Sequence, residues 1–123
     1  MKGNPVGWFE IYVQDMDRAR SFYEAVLETK LTQLPGSDLN MLAFPSEQGG
    51  FGASGALMRM EGFSSGGNST LVYFMCDDCA VAEGRVVPNG GKIQRPKMSI
   101  GQYGFISLAI DTEGNMIGPH SMK

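Results

Sequence analysis

Cysteine is scarce: Cys76 and Cys79 are the only 2 in 123 residues, too few for the disulfide framework of a small secreted domain. Basic residues are in deficit, with 10 Lys and Arg against 13 Asp and Glu. The resulting net charge of −3 offers no positive field to phosphate backbones or anionic lipid. Long apolar runs are missing too. Nothing approaches the roughly 18 residues of a membrane span, and MKGNPVGWFE at the start has no apolar stretch of the signal-peptide kind. The expectation is a cytoplasmic protein with neither nucleic acid nor membrane as partner.

What is present describes one compact domain over residues 1–123. With 42% apolar and 19% charged residues the chain is too hydrophobic to stay disordered, and its length buries enough surface to fold without a staple. The 17 glycines cluster at Gly49-Gly50, Gly66-Gly67 and Gly90-Gly91, where short elements must turn. Val6 to Val13 alternates as a strand, with Phe9, Ile11 and Val13 on one face and Trp8, Glu10 and Tyr12 on the other. The period then changes: Ala19, Phe22, Tyr23, Val26 and Leu27 form the apolar stripe of a helix from Asp15 to Leu27, which Asp15 caps. Lys30 to Leu34, Leu39 to Phe44 and Gly55 to Met60 follow as strands, with a turn at Pro35-Gly36.

Near Thr70 this order begins again. LVYFMC reads as a strand and Asp78 as a cap. A weaker helix interrupted by Gly84 follows, then strands at Lys92 to Gln94, Tyr103 to Ile110 and Asn115 to His120. Asp78 stands 63 residues after Asp15, and the same offset lays Trp8 over Leu71 and Gly55 over Gly118. The chain therefore reads as two βαβββ repeats, residues 5–61 and 69–123, joined by a linker at 62–68. The expected fold is α+β. The repeats form a curved mixed sheet around a cup-shaped cleft, with helices on the convex side. An ordinary α+β sandwich with an accidental repeat is the alternative.

WFEIYVQDMDRARSFYEAVL and the closing run Ile110-Asp111-Thr112-Glu113-Gly114-Asn115-Met116-Ile117 resemble the characteristic segments of the vicinal oxygen chelate superfamily. That superfamily includes glyoxalase I, extradiol dioxygenases, fosfomycin-resistance enzymes and bleomycin-resistance proteins. The resemblance spans essentially the whole chain and implies a homodimer. In metal-dependent members each repeat supplies ligands from its first and last strands; here those positions fall on Trp8, Gly55, Leu71 and Gly118. None offers a donor to a divalent cation.

By strand alternation the cup is expected to be lined by Trp8, Glu10, Tyr12, Leu57, Arg59, Leu71, Tyr73, Met75, Met116 and His120, with Gly118 beneath them. Aromatic and thioether surfaces suit a flat or amphipathic ligand, while the same side chains also suit a filled core. Glu10 with Arg59 is the expected ion pair. Glu10 and His120, the single histidine, are the candidate catalytic residues. Cys76-Asp77-Asp78-Cys79 has redox spacing, but its acidic pair opposes a thiolate, which favours structural cysteines. Gly62 to Gly67 lacks the Lys-Ser or Lys-Thr of a phosphate loop and reads as linker; Glu47 to Gly52 is a candidate pocket edge.

Three functions compete. The first is a glyoxalase/bleomycin-resistance-like protein that binds a small aromatic or amphipathic ligand without a cofactor. The second is a metal-dependent lyase or isomerase of glyoxalase type, or an extradiol-type dioxygenase, with a divalent metal relocated to Glu10 and His120. The third is an interaction module with a filled cup.

Overall fold

The computed structural model describes residues 3–34 and 40–123. The expected turn at Pro35-Gly36 and the start of the strand at Leu39 lie outside them. Alternation from Trp8 onward produces β1 (Phe9–Tyr12), and the change of period produces α1 (Met16–Leu27). The Asp15 carboxylate accepts the Arg18 N–H at 3.0 Å, which satisfies one of the donors a helix start leaves open. β2 (Met41–Ala43) and β3 (Gly55–Met58) complete the first repeat. The second comprises β4 (Val72–Met75), α2 (Cys79–Gly84), β5 (Lys92–Ser99), β6 (Phe105–Ile110) and β7 (Met116–Ser121). Among the described residues no helix is long and apolar enough to cross a membrane.

The strands lie in two sheets, ordered β1-β3-β2 and β4-β7-β6-β5, and neither closes into a barrel. In each repeat the first strand runs parallel to the last. The strand expected at Lys30 to Leu34 is reduced to one bridge between Thr32 and Ala43. The cause is local: the Glu24 carboxylate takes the Leu31 N–H at 2.9 Å and removes it from any ladder. β5 is longer than expected, because Pro96 sits where its register against β6 slips, on a sheet edge where a missing N–H is tolerated.

The two repeats share one core. Ile11, Val13 and Leu57 of the first repeat, Phe22, Tyr23 and Val26 of α1, and Val86, Ala109 and Ile117 of the second form a single apolar cluster. Phe9, Phe44 and Phe74 meet over Tyr23 with ring centroids 5.3 to 6.0 Å apart, so one aromatic knot carries side chains from both repeats.

A polar clamp holds the repeats in register. The Glu113 side chain, wholly buried, accepts the Gln14 and Asp15 N–H groups at 2.9 and 3.0 Å and two Arg18 guanidinium contacts at 2.7 and 3.0 Å. Asp111 accepts the Tyr23 hydroxyl at 2.6 Å, and the Asn115 amide donates to the Tyr12 carbonyl at 2.9 Å. Burial alone raises the Glu113 pKa, but Arg18, the two backbone donors and Thr112 outweigh it and hold the carboxyl at about 2. Asp111, where burial dominates, is shifted upward.

The two acids act oppositely on stability. Glu113, with a depressed pKa, contributes stability that is present above its unfolded pKa of 4.5 and lost as pH falls toward about 2. The shift corresponds to roughly 3 kcal/mol. Asp111, with a raised pKa, contributes stability present at low pH and lost as pH rises through its folded value. Replacing Glu113→Gln is expected to cost about 2–4 kcal/mol at neutral pH and to flatten the acid limb below the ordinary carboxylate range. Denaturant unfolding across that limb checks this. A variant profile parallel to that of the parent would contradict the clamp.

Candidate functional site

β1 and β4 are each the outermost strand of a sheet, and the Phe9–Phe74 contact at 5.8 Å brings them side by side without a ladder between them. This seam holds a cavity of about 540 Å³. Both faces of β1, the start of β4, the linker before β4 and the first residues of β7 line it. Its walls combine apolar groups such as Phe9, Val72 and Met116 with the hydrogen-bonding side chains of Tyr12, Asn68, Thr70 and Asn115.

Glu10 and Tyr12 share one face of β1, as alternation requires, and Trp8 stands just before the strand next to Glu10 on that side. Trp8 Nε1 and the Tyr12 hydroxyl donate to the two Glu10 oxygens at 3.4 and 3.0 Å. The Tyr12 pKa is raised by burial and then by the Glu10 carboxylate. Phe63 stacks on the Tyr12 ring at 5.2 Å and 18°.

The cavity gathers Glu10, Tyr12 and Met116 from the expected lining. Tyr73 and Met75 line a second cavity of about 460 Å³ farther along the seam, together with Phe51 and Gly52 of the 47–52 loop. Trp8 stands beside Glu10 and is 43% exposed, and Leu71 is half-buried just before β4. His120 faces the same side of its sheet as Met75, and its Nε2 lies 2.7 Å from the Tyr103 carbonyl. Glu10 and His120 thus belong to different sheets.

Two expectations need correction. Leu57 does not face the cleft. It pairs in parallel with Ile11 and therefore points into the shared core, where it is fully buried. Arg59 does not pair with Glu10; its Nε donates to the Gln14 carbonyl at 3.0 Å, and Glu10 is exposed rather than buried.

The repeat offset also changes along the chain. The parallel partners are Phe9 with Gly55 in one repeat and Val72 with Ile117 in the other, so Ile117 stands 62 residues after its counterpart while the first strands keep 63. Gly118 therefore corresponds to Ala56, not Gly55. Neither side chain carries a donor. A Cβ added at Gly118 would lie 2.5 Å from the Tyr73 ring, so Tyr73 occupies the space a longer side chain there would need. Among the described residues no three His, Cys, Asp or Glu side chains converge as a metal-binding group.

Several lining residues were not legible in the sequence. Asn68 accepts the Met116 N–H at 3.1 Å and donates to the Met116 carbonyl at 3.1 Å, so a linker side chain imitates a strand partner for β7. Phe63 was the one aromatic signal in that stretch. Cys76 and Cys79 are free thiols. Burial pushes the Cys76 thiol up, the wrong direction for a nucleophile.

No protein-family model matches the sequence, and no curated protein matches it. Solved structures do match. A glyoxylase/bleomycin resistance protein/dioxygenase domain from Frankia sp. EAN1pec is 16% identical with a TM-score of 0.73, covering 99% of this chain and 100% of that one. An antibiotic binding protein from Streptomyces sp. CB03234 is 23% identical with a TM-score of 0.71 over 100% and 99%. A fosfomycin resistance protein from Mesorhizobium loti is 18% identical with a TM-score of 0.66 over 100% and 95%. With the repeat order described above, these full-length similarities give the chain the fold of the glyoxalase/bleomycin resistance proteins.

Proposed function

We propose that the protein binds a small aromatic or amphipathic ligand in the seam cavity between β1 and β4, without a metal ion. The observation that carries this reading is the cavity itself. Its volume of about 540 Å³ is within the range of small-molecule sites, and its walls mix apolar surface with a few convergent polar groups. Trp8, Ala56, Leu71 and Gly118 carry no side-chain atom that can ligate a metal, which supports ligand capture over metal chemistry, since a divalent cation needs N, O or S ligands. The antibiotic-binding Streptomyces structure supports the same reading by analogy of fold. The protein acts in the cytoplasm in this account, in keeping with two unpaired thiols.

Protein purified without chelator is expected to hold only substoichiometric Zn, Ni, Fe or Mn, and acridine, as a planar probe, should bind equally before and after chelation. Thr70→Trp, which fills the cavity from its rim, should weaken acridine by about tenfold, or roughly 1.4 kcal/mol. His120→Ala should change it by less than about twofold. Metal analysis and titration calorimetry check these outcomes; a stoichiometric metal whose removal abolishes binding would contradict the reading.

The same reading includes a homodimer. Trp8, Tyr73, Met75 and Tyr103 leave between 43% and 66% of their surfaces exposed, apolar surface that a second copy of the chain would cover. Sedimentation equilibrium is expected to return twice the mass of 13.3 kDa. A monomer at micromolar concentration would remove this part of the proposal.

A further inference from the structure

We infer that the seam cavity selects an organic cation, a protonated amine or quaternary ammonium carried on an apolar body, and that Glu10 is the residue that selects it. The inference rests on the binding function proposed above and goes further by naming the ligand's charge. Among the described residues that line the cavity, Glu10 is the only acidic or basic side chain. The ion pairs of the described residues do not include it: Arg18, Arg20, Arg85 and Lys97 are engaged with Glu113, Glu24, Glu28 and Asp78. Arg59, the cation expected beside it, is turned to the Gln14 carbonyl.

Both carboxylate oxygens are nevertheless hydrogen-bonded. Trp8 Nε1 and the Tyr12 hydroxyl donate to one oxygen each, so Glu10 sits between an aromatic side chain of its own strand and one just before it. A carboxylate with no cationic partner attracts a cation by direct charge and by charge-assisted hydrogen bonding. It repels an anion by the same charge, and the net charge of −3 adds to that bias. The apolar surface of Phe9, Val72 and Met116 receives the ligand's body. A strongly hydrated inorganic cation would gain nothing from that surface.

Three planar probes of matched shape test this by titration calorimetry at low ionic strength: N-methylacridinium as the cation, acridine at a pH where it is uncharged, and 9-anthracenecarboxylate as the anion. The cation is expected to bind about tenfold or more tighter than acridine, and the anion more weakly than either. Glu10→Gln retains the shape and an acceptor for the neighbouring donors. It should bring the cation and acridine affinities together to within about twofold, with circular dichroism confirming the fold. Equal affinity of cation and acridine for the parent, or a cation preference that survives Glu10→Gln, would overturn the cation inference while leaving the binding function standing. Failure of all three probes to bind would overturn both.

Discussion

The burial of one carboxylate at the start of α1 sets the geometry of the whole molecule. Glu113 lies on the turn between β6 and β7, yet its oxygens end the backbone donors of Gln14 and Asp15 and the guanidinium of Arg18. A charge removed from water at such cost is held only where its partners are fixed. Those partners belong to the other repeat. The clamp therefore converts a local turn into a joint between two sheets, and it places β1 beside β4 rather than leaving the repeats to swivel on their linker.

The seam follows from that joint. Two edge strands are brought together by Phe9 and Phe74 but exchange no ladder, so the space between them stays open as cavities instead of closing as a continuous sheet. Asn115 shows how tightly structure and site are coupled. Its amide donates to the Tyr12 carbonyl, its oxygen accepts the Gly66 N–H, and the same residue lines the cavity. Stability of the clamp and shape of the pocket are thus two readings of one hydrogen-bond network.

The parts legible in the sequence were those set by neighbours along the chain. Asp15 and Asp78 cap their helices because capping reaches only two or three residues ahead. Alternation placed Trp8, Glu10 and Tyr12 on one face for the same reason. Register between strands is not local. The one-residue difference in how β3 and β7 meet their partners turned Leu57 inward and moved the counterpart of Gly118 to Ala56, with no signal in either segment. Glu113 was visible as a turn residue, but its role needs the spatial arrival of Arg18 from 95 residues away. Asn68 and Phe63 were hidden by glycine and serine, whose abundance reads as linker although the segment walls the site.

The central claim is that ligand capture occurs in the seam of the metal-free protein. Backbone amide NMR of the chelator-treated protein during titration with a planar aromatic probe tests it most directly. The account predicts that the largest shifts cluster at Glu10, Tyr12, Thr70, Val72 and Met116. Shifts concentrated elsewhere, or shifts that arise only after a divalent metal is restored, would contradict it.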